Sequence, residues 1–253
     1  STLDRSSAAS DVYKRQIEEL SFSPIREIVR SAEDLKDVIP FWFGEPDVST
    51  PEFIRDETKK SLDRGETFYA PNSGQRQLRE TIADYMNGLY SSRISTEQIT
   101  VSVSGMNAIM LSAQALVPYG SKVVVLLPSW PNIPAVQRIM GAKVEGVPIG
   151  MKDGKWSLDM EQVFDACDSK TAAIIINSPN NPSGTTCNNL KDLAQVAKNN
   201  IIIVLSDEIY TDLYRIGEAQ RRMIKADKMV FMGTSFSVNI TAIALKIAAS
   251  NSI

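Results

Sequence analysis

The chain has 253 residues, enough for one large domain with a sizeable core or at most two small ones. Its formal charge of −3 gives no reason to expect nucleic acid or an anionic membrane as partner, and no apolar run reaches the roughly 20 residues that span a bilayer. There is no histidine, which removes Ser–His–Asp and Cys–His nucleophile chemistry and argues against a zinc enzyme. Cys167 and Cys187 stand in no metal-ligand spacing, so no metal is expected, and the natural reading is reduced thiols in a cytoplasmic protein. No basic segment followed by an apolar stretch opens the chain, so no secretory signal is read. Chemistry must then come from Lys, Tyr, Asp, Glu, a thiol or a bound cofactor.

Residues 1–16 are small and polar and match nothing that follows; they are read as an unstructured or artefactual leader. Residues 17–48 form an N-terminal segment, and 49–253 one large domain. Ser23-Pro24 caps a helix through Ile25–Ala32, since Ser suits the cap and Pro the first helical position. Phe41 to Asp47 reads as a short extended piece and a turn. Helices are expected over Pro51–Arg64, capped by Thr50, and over Leu78–Leu89. Short β-branched runs then recur at Ile99–Val103, Lys122–Leu127, Ala172–Asn177, Ile201–Leu205 and Met229–Met232. They are almost continuously apolar, as strands buried on both faces should be. Helices at Ala108–Val117 and Leu190–Lys198 lie between them. The alternation predicts an α/β three-layer sandwich with a mainly parallel sheet. Ligands in such sheets sit beyond the carboxyl ends of the strands.

Four segments follow those ends. Ser104-Gly105-Met106-Asn107 precedes the helix as a turn whose free N–H groups suit a phosphate, although many such turns bind nothing. Trp130, in Pro128-Ser129-Trp130-Pro131-Asn132, either stacks on a flat ligand or is a core tryptophan. The run Asn177-Ser178-Pro179-Asn180-Asn181-Pro182-Ser183-Gly184 is denser than a plain turn needs. Asp207 and Tyr210 put a carboxylate and a phenol at one strand end, or Asp207 is an N-cap.

The order and spacing of these pieces, with Gly44-Glu45-Pro46-Asp47, Tyr69, Gly74 and Leu78-Arg79, resemble the fold-type-I aminotransferases of class I and II, aspartate aminotransferase and its relatives. The resemblance runs from about Phe22 to Ala249 and implies pyridoxal 5′-phosphate as cofactor. It implies that Gly105, Met106 and Asn107 contact the cofactor phosphate and that Trp130 stacks on the pyridine ring. Asn181 and Tyr210 would bond the phenolic oxygen, and Asp207 would pair with the pyridine nitrogen. Tyr69 would reach the phosphate of a neighbouring subunit, implying a homodimer, and Gly44 would lie on a segment closing over the substrate. Amino acids and 2-oxo acids are the implied substrates.

One piece departs from the pattern. Ser235 fits a phosphate ligand, and Lys246 replaces the arginine expected there, without its bidentate fork. Val238, however, stands where the family's catalytic Schiff-base lysine should be. The small domain that carries the family's carboxylate-binding arginine is expected to be missing, leaving an incomplete large domain. Three readings follow, in order: a piece of a true aminotransferase with a corrupted or truncated end, a non-catalytic pseudoenzyme that binds pyridoxal phosphate, and an interaction protein that kept only the fold. Negligible transaminase turnover is expected in each. The resemblance does not name the amino donor, and carbon–sulfur lyases share every piece quoted.

Overall fold

The computed structural model describes residues 17–18, 20, 23–39, 42–43, 49–187, 190–210 and 229–232. The expectations placed on Gly44, Ser235, Val238 and Lys246 lie outside the described residues. The chain divides into two compact units, residues 1–50 and 51–253.

In the first unit, helix α1 (Pro24–Ala32) has Ser23 at its N-cap and proline in its first turn, as predicted. Ser23 makes no side-chain capping bond; the fixed φ of Pro24 sets the start instead. The Arg26 guanidinium lies 5.0 Å from the Phe43 ring centroid.

The second unit is an α/β sandwich. Its elements in order are α2 (Glu52–Asp63), α3 (Arg76–Tyr90), α4 (Gly105–Leu116), β1 (Lys122–Leu127), α5 (Asn132–Ile139) and β2 (Lys143–Pro148). A short hairpin follows, β3 (Gly150–Lys152) and β4 (Lys155–Ser157), and then α6 (Met160–Asp165), β5 (Thr171–Asn177), α7 (Leu190–Asn200), β6 (Ile203–Asp207) and β7 (Met229–Met232). The five main strands pair in the order β2-β1-β5-β6-β7, all parallel. Side chains alternate between the faces of a strand. Val123, Val125, Ala173, Ile175 and Leu205 therefore pack under α4 and α5 on one face, around Ile109, Ala113, Ile133 and Val136. Val124, Leu126, Ile174, Ile176 and Val204 pack under α6 and α7 on the other, around Val163, Leu193 and Ala197. Both faces being covered is what makes β1 and β5 read as unbroken apolar runs.

The fold places its crevice. From β1 the chain returns through α5 on the first face to β2; from β5 it returns through α7 on the second face to β6. Strand order thus reverses between β1 and β5, and ligands in open α/β sheets bind beyond the carboxyl ends at such a point. Only five residues separate the end of α4 from the start of β1, so α4 runs back across the sheet with its N-terminus at the carboxyl edge.

Three local expectations are corrected. Ile99–Val103 forms no strand; it is extended, Val101 N–H bonds the Ser73 carbonyl at 3.0 Å, and no strand pairs with it among the described residues. An apolar run supplies strand propensity, but a ladder also needs a neighbour. Thr50 does not cap α2; Pro51 occupies the N-cap. Ile201 is not in a strand. It has φ of 58°, the left-handed residue ending α7, with Ile202 N–H bonded to Ala197 O at 2.9 Å and Ile201 N–H to Lys198 O at 3.4 Å. This is the glycine position of a Schellman motif, held by a β-branched residue whose side chain is 91% exposed. Ile201→Gly is therefore expected to raise stability by about 0.5–1 kcal/mol, because it relieves left-handed strain and loses no packing. Urea unfolding of the two proteins measures the difference; a variant less stable than the parent contradicts the assignment.

Candidate cofactor-binding site

The site is built from the ends of adjacent parallel strands. Asn177 ends β5 and Asp207 ends β6, and the two are register partners. Ser178 N–H extends the ladder by one bond to the Asp207 carbonyl at 3.0 Å. Asn177 Nδ2 donates to Asp207 Oδ2 and to the Asp207 carbonyl, both at 3.2 Å. The other carboxylate oxygen, Asp207 Oδ1, is buried without a hydrogen-bond partner, in a residue only 3% exposed. Removal from water pushes this carboxyl up to about 7, partly offset by a hydrogen bond from the Ile209 backbone. Among the described residues no helix starts directly after Asp207, where its reading as an N-cap would place one: residues 209–210 form a turn.

Tyr210 lies three residues beyond Asp207, and its hydroxyl accepts a hydrogen bond from Asn181 Nδ2 at 3.1 Å. Burial raises the Tyr210 phenol, opposed by the Asn181 bond. The hydroxyl thus keeps its proton at neutral pH and remains able to donate it. The asparagine-rich run divides its labour. Asn181 N–H bonds Asn177 Oδ1 at 2.6 Å. Asn180, 5% exposed, folds the loop by accepting from Ser183 Oγ at 2.7 Å and Ser183 N–H at 3.1 Å. Ser178 Oγ accepts from Cys187 N–H at 2.9 Å.

The segment after β1 borders the crevice from the other side. Trp130 is half-buried and packs against the cluster beneath α4 and α5, where Met106 also packs. Ser129 Oγ is buried without a partner. Helix α4 begins at Gly105, so Gly105, Met106 and Asn107 are its first turn rather than a loop before it. Ser104 caps it, its Oγ accepting from Asn107 N–H at 3.1 Å. The first N–H groups of a helix have no acceptor within it and carry the positive end of its dipole. Tyr69 is fully exposed, turned away from its own chain's interior.

A second carboxyl gathers here that the sequence did not single out. Glu208, half-buried as a residue, has its carboxyl enclosed: Oε1 accepts from Ser206 Oγ at 2.8 Å and Oε2 from Tyr90 OH at 3.3 Å. Burial raises it to about 7, against those two bonds, and the neighbouring Asp207 adds a smaller push upward. The structure thus brings Asp207, Asn181 and Tyr210 together with Asn177. It sets Trp130 and the α4 N-terminus at the same edge by topology and leaves Tyr69 at the surface.

A buried, unpartnered carboxylate oxygen beside an amide–phenol pair suits a flat ring with a protonated nitrogen at one end and an oxyanion at another. The aminotransferase class I and II family matches residues 36–249, and the chain belongs to that family. It is 34% identical over 184 residues to the aspartate/prephenate aminotransferase of Thermus thermophilus, covering 72% of this chain and 48% of that protein. It is 30% identical over 218 residues to the aspartate aminotransferase of Pyrococcus horikoshii, covering 85% and 56%. Among solved structures, Thermus thermophilus aspartate aminotransferase with maleate superimposes with a TM-score of 0.78 at 26% identity, covering 94% of this chain and 68% of that one. The chain spans about half the length of these two relatives. No helix among the described residues is long and apolar enough to cross a membrane.

Proposed function

We propose that this chain holds pyridoxal phosphate in the crevice between β1 and β5, and that with valine at residue 238 it does so with negligible transaminase turnover. The observation that carries the reading is Asp207 Oδ1, buried and unpartnered at the strand end beside the Asn181–Tyr210 pair. A protonated ring nitrogen is the cation that would offset its desolvation. Asn181 Nδ2 and the Tyr210 hydroxyl would meet the phenolic oxygen, Trp130 would lie against the ring, and the first turn of α4 would hold the phosphate with its N–H groups. When bound, pyridoxal phosphate supplies a conjugated ring that accepts electron density from a substrate α-carbon. The Tyr210 hydroxyl would offer its proton to the oxygen end of that ring, and the Asp207 carboxylate would favour the charged form of its nitrogen end. No amine at residue 238 is available to move a proton to or from the α-carbon, a loss that costs roughly 10²–10⁴ in rate. An amino acid and a 2-oxo acid are the ligands this arrangement would take. Tyr69, exposed on its own chain, would reach a second copy's phosphate in a homodimer.

Equilibrium dialysis of the protein with pyridoxal phosphate tests the reading. The parent is expected to retain the ligand at micromolar concentration, and Asp207→Ala to bind at least tenfold more weakly, the scale of a lost charge-assisted hydrogen bond. Equal binding by parent and variant, or none by the parent, removes the assignment of the crevice. Turnover of glutamate or aspartate with a 2-oxo acid at ordinary enzymatic rates contradicts the non-catalytic part alone.

A further inference from the structure

One buried side chain touches both polar ends of this crevice, and the family resemblance assigns it nothing. Asn177, 6% exposed, uses both ends of its amide. Nδ2 donates to Asp207 Oδ2 at 3.2 Å, and Oδ1 accepts from Asn181 N–H at 2.6 Å. The first contact occupies one carboxylate oxygen and so leaves Oδ1 as the oxygen without a partner. The second fixes the backbone of the residue whose Nδ2 meets Tyr210 OH at 3.1 Å. An amide is planar and rigid, so a displacement at one end is carried to the other.

We propose that Asn177 is a positioning residue that sets the spacing between the Asp207 carboxylate and the Asn181–Tyr210 pair, so that one planar ligand engages both at once. The inference rests on the reading of the crevice as a pyridoxal phosphate site. The plainer alternative is a strand-end pairing that only stabilises the loop, and the two differ in what they predict. A structural role weakens every ligand alike. A positioning role weakens the ligand that uses the ring nitrogen more than a ligand that lacks it.

The experiment compares pyridoxal phosphate with its 1-deaza analogue, in which carbon replaces the ring nitrogen, on the parent, Asn177→Leu and Asn177→Ser. Serine is small enough to fold where leucine crowds, and too short to span both partners. The parent is expected to prefer pyridoxal phosphate by at least tenfold, and the variants to lose at least fivefold of that preference. An unchanged preference with uniformly lower affinity overturns the proposal in favour of the structural role. A second readout needs no ligand. Carbon-13 NMR of the aspartate carboxyls follows Asp207 in the free protein. Losing the Asn177 donor, which favours the charged carboxylate, is expected to move its titration midpoint up. No movement in a folded variant also overturns the proposal. If the parent binds neither ligand while the midpoint moves, the cofactor reading fails and the control of Asp207 by Asn177 stands, so the two failures are distinguishable.

Discussion

Asp207→Asn is expected to make the ligand-free protein more stable than the parent at pH 8, by about 2–4 kcal/mol, and to leave the two nearly equal at pH 4. The Asp207 carboxyl is raised from 3.8 to about 7 by burial. Below about pH 4 it is protonated in both the folded and unfolded chain, and the full stability is present. Between 4 and 7 the unfolded chain loses the proton while the folded one keeps it, so stability falls as pH rises through this window and then levels off above 7. A displacement of about three pH units corresponds to roughly 4 kcal/mol. Asparagine keeps a similar shape and cannot ionise, which removes this slope. Glu208, also raised to about 7, contributes a slope of the same sign, so the single variant retains part of the dependence and Asp207→Asn with Glu208→Gln is nearly flat. Urea unfolding at pH 4, 6 and 8 measures all three proteins. A variant less stable than the parent at pH 8, or one with the parent's slope, rejects burial as the cause of the raised Asp207 carboxyl. Saturating pyridoxal phosphate should stabilise the parent and much less the variant, because a ring cation compensates only a carboxylate that is there. Destabilisation held at a binding site in this way is the usual cost of a prepared pocket.

What was legible in the sequence follows the physics of burial. Lys122–Leu127 and Thr171–Asn177 are covered on both faces by helices, so each announces itself as an apolar run. The edge strand β2, Lys-Val-Glu-Gly-Val-Pro, buries only Val147 and carries no such run, which is why it was not anticipated. The β3–β4 hairpin turns at Asp153 and Gly154, both with positive φ, a local signal too brief for apolar patterning to register. At the site, Asp207 and Tyr210 were readable because they stand three positions apart at the end of one strand. Asn177 was hidden among four asparagines and serines of similar character. What sets it apart is the adjacency of β5 and β6, which brings residues thirty positions apart into contact, and no local pattern encodes that neighbour. Glu208 and Tyr90, 118 positions apart, were hidden for the same reason.

Val238→Lys is expected to convert reversible retention of pyridoxal phosphate into covalent attachment at residue 238. Strand β7 lies beside β6, and its last residue, Met232, is the register partner of Asp207. Ser235 and Val238 follow Met232 by three and six residues, with Lys246 eight residues further on. An amine on this stretch enters the chain's path directly after the strand neighbouring Asp207. A lysine that a bound ligand shields from water has a lowered pKa, and more of it is then neutral and nucleophilic at pH 8. Treatment with pyridoxal phosphate, then borohydride, then peptide mapping should give a stoichiometric pyridoxyl label on residue 238 in the variant and none above the surface-lysine background in the parent. Asp207→Ala introduced beside Val238→Lys should cut that label at least tenfold at limiting ligand, which separates a site reaction from adventitious modification. A label that appears at Lys246 instead places the alignment of this stretch in error and moves the amine of the site to that residue. A folded variant that binds the ligand and carries no label at either position rules out this stretch as the source of the amine.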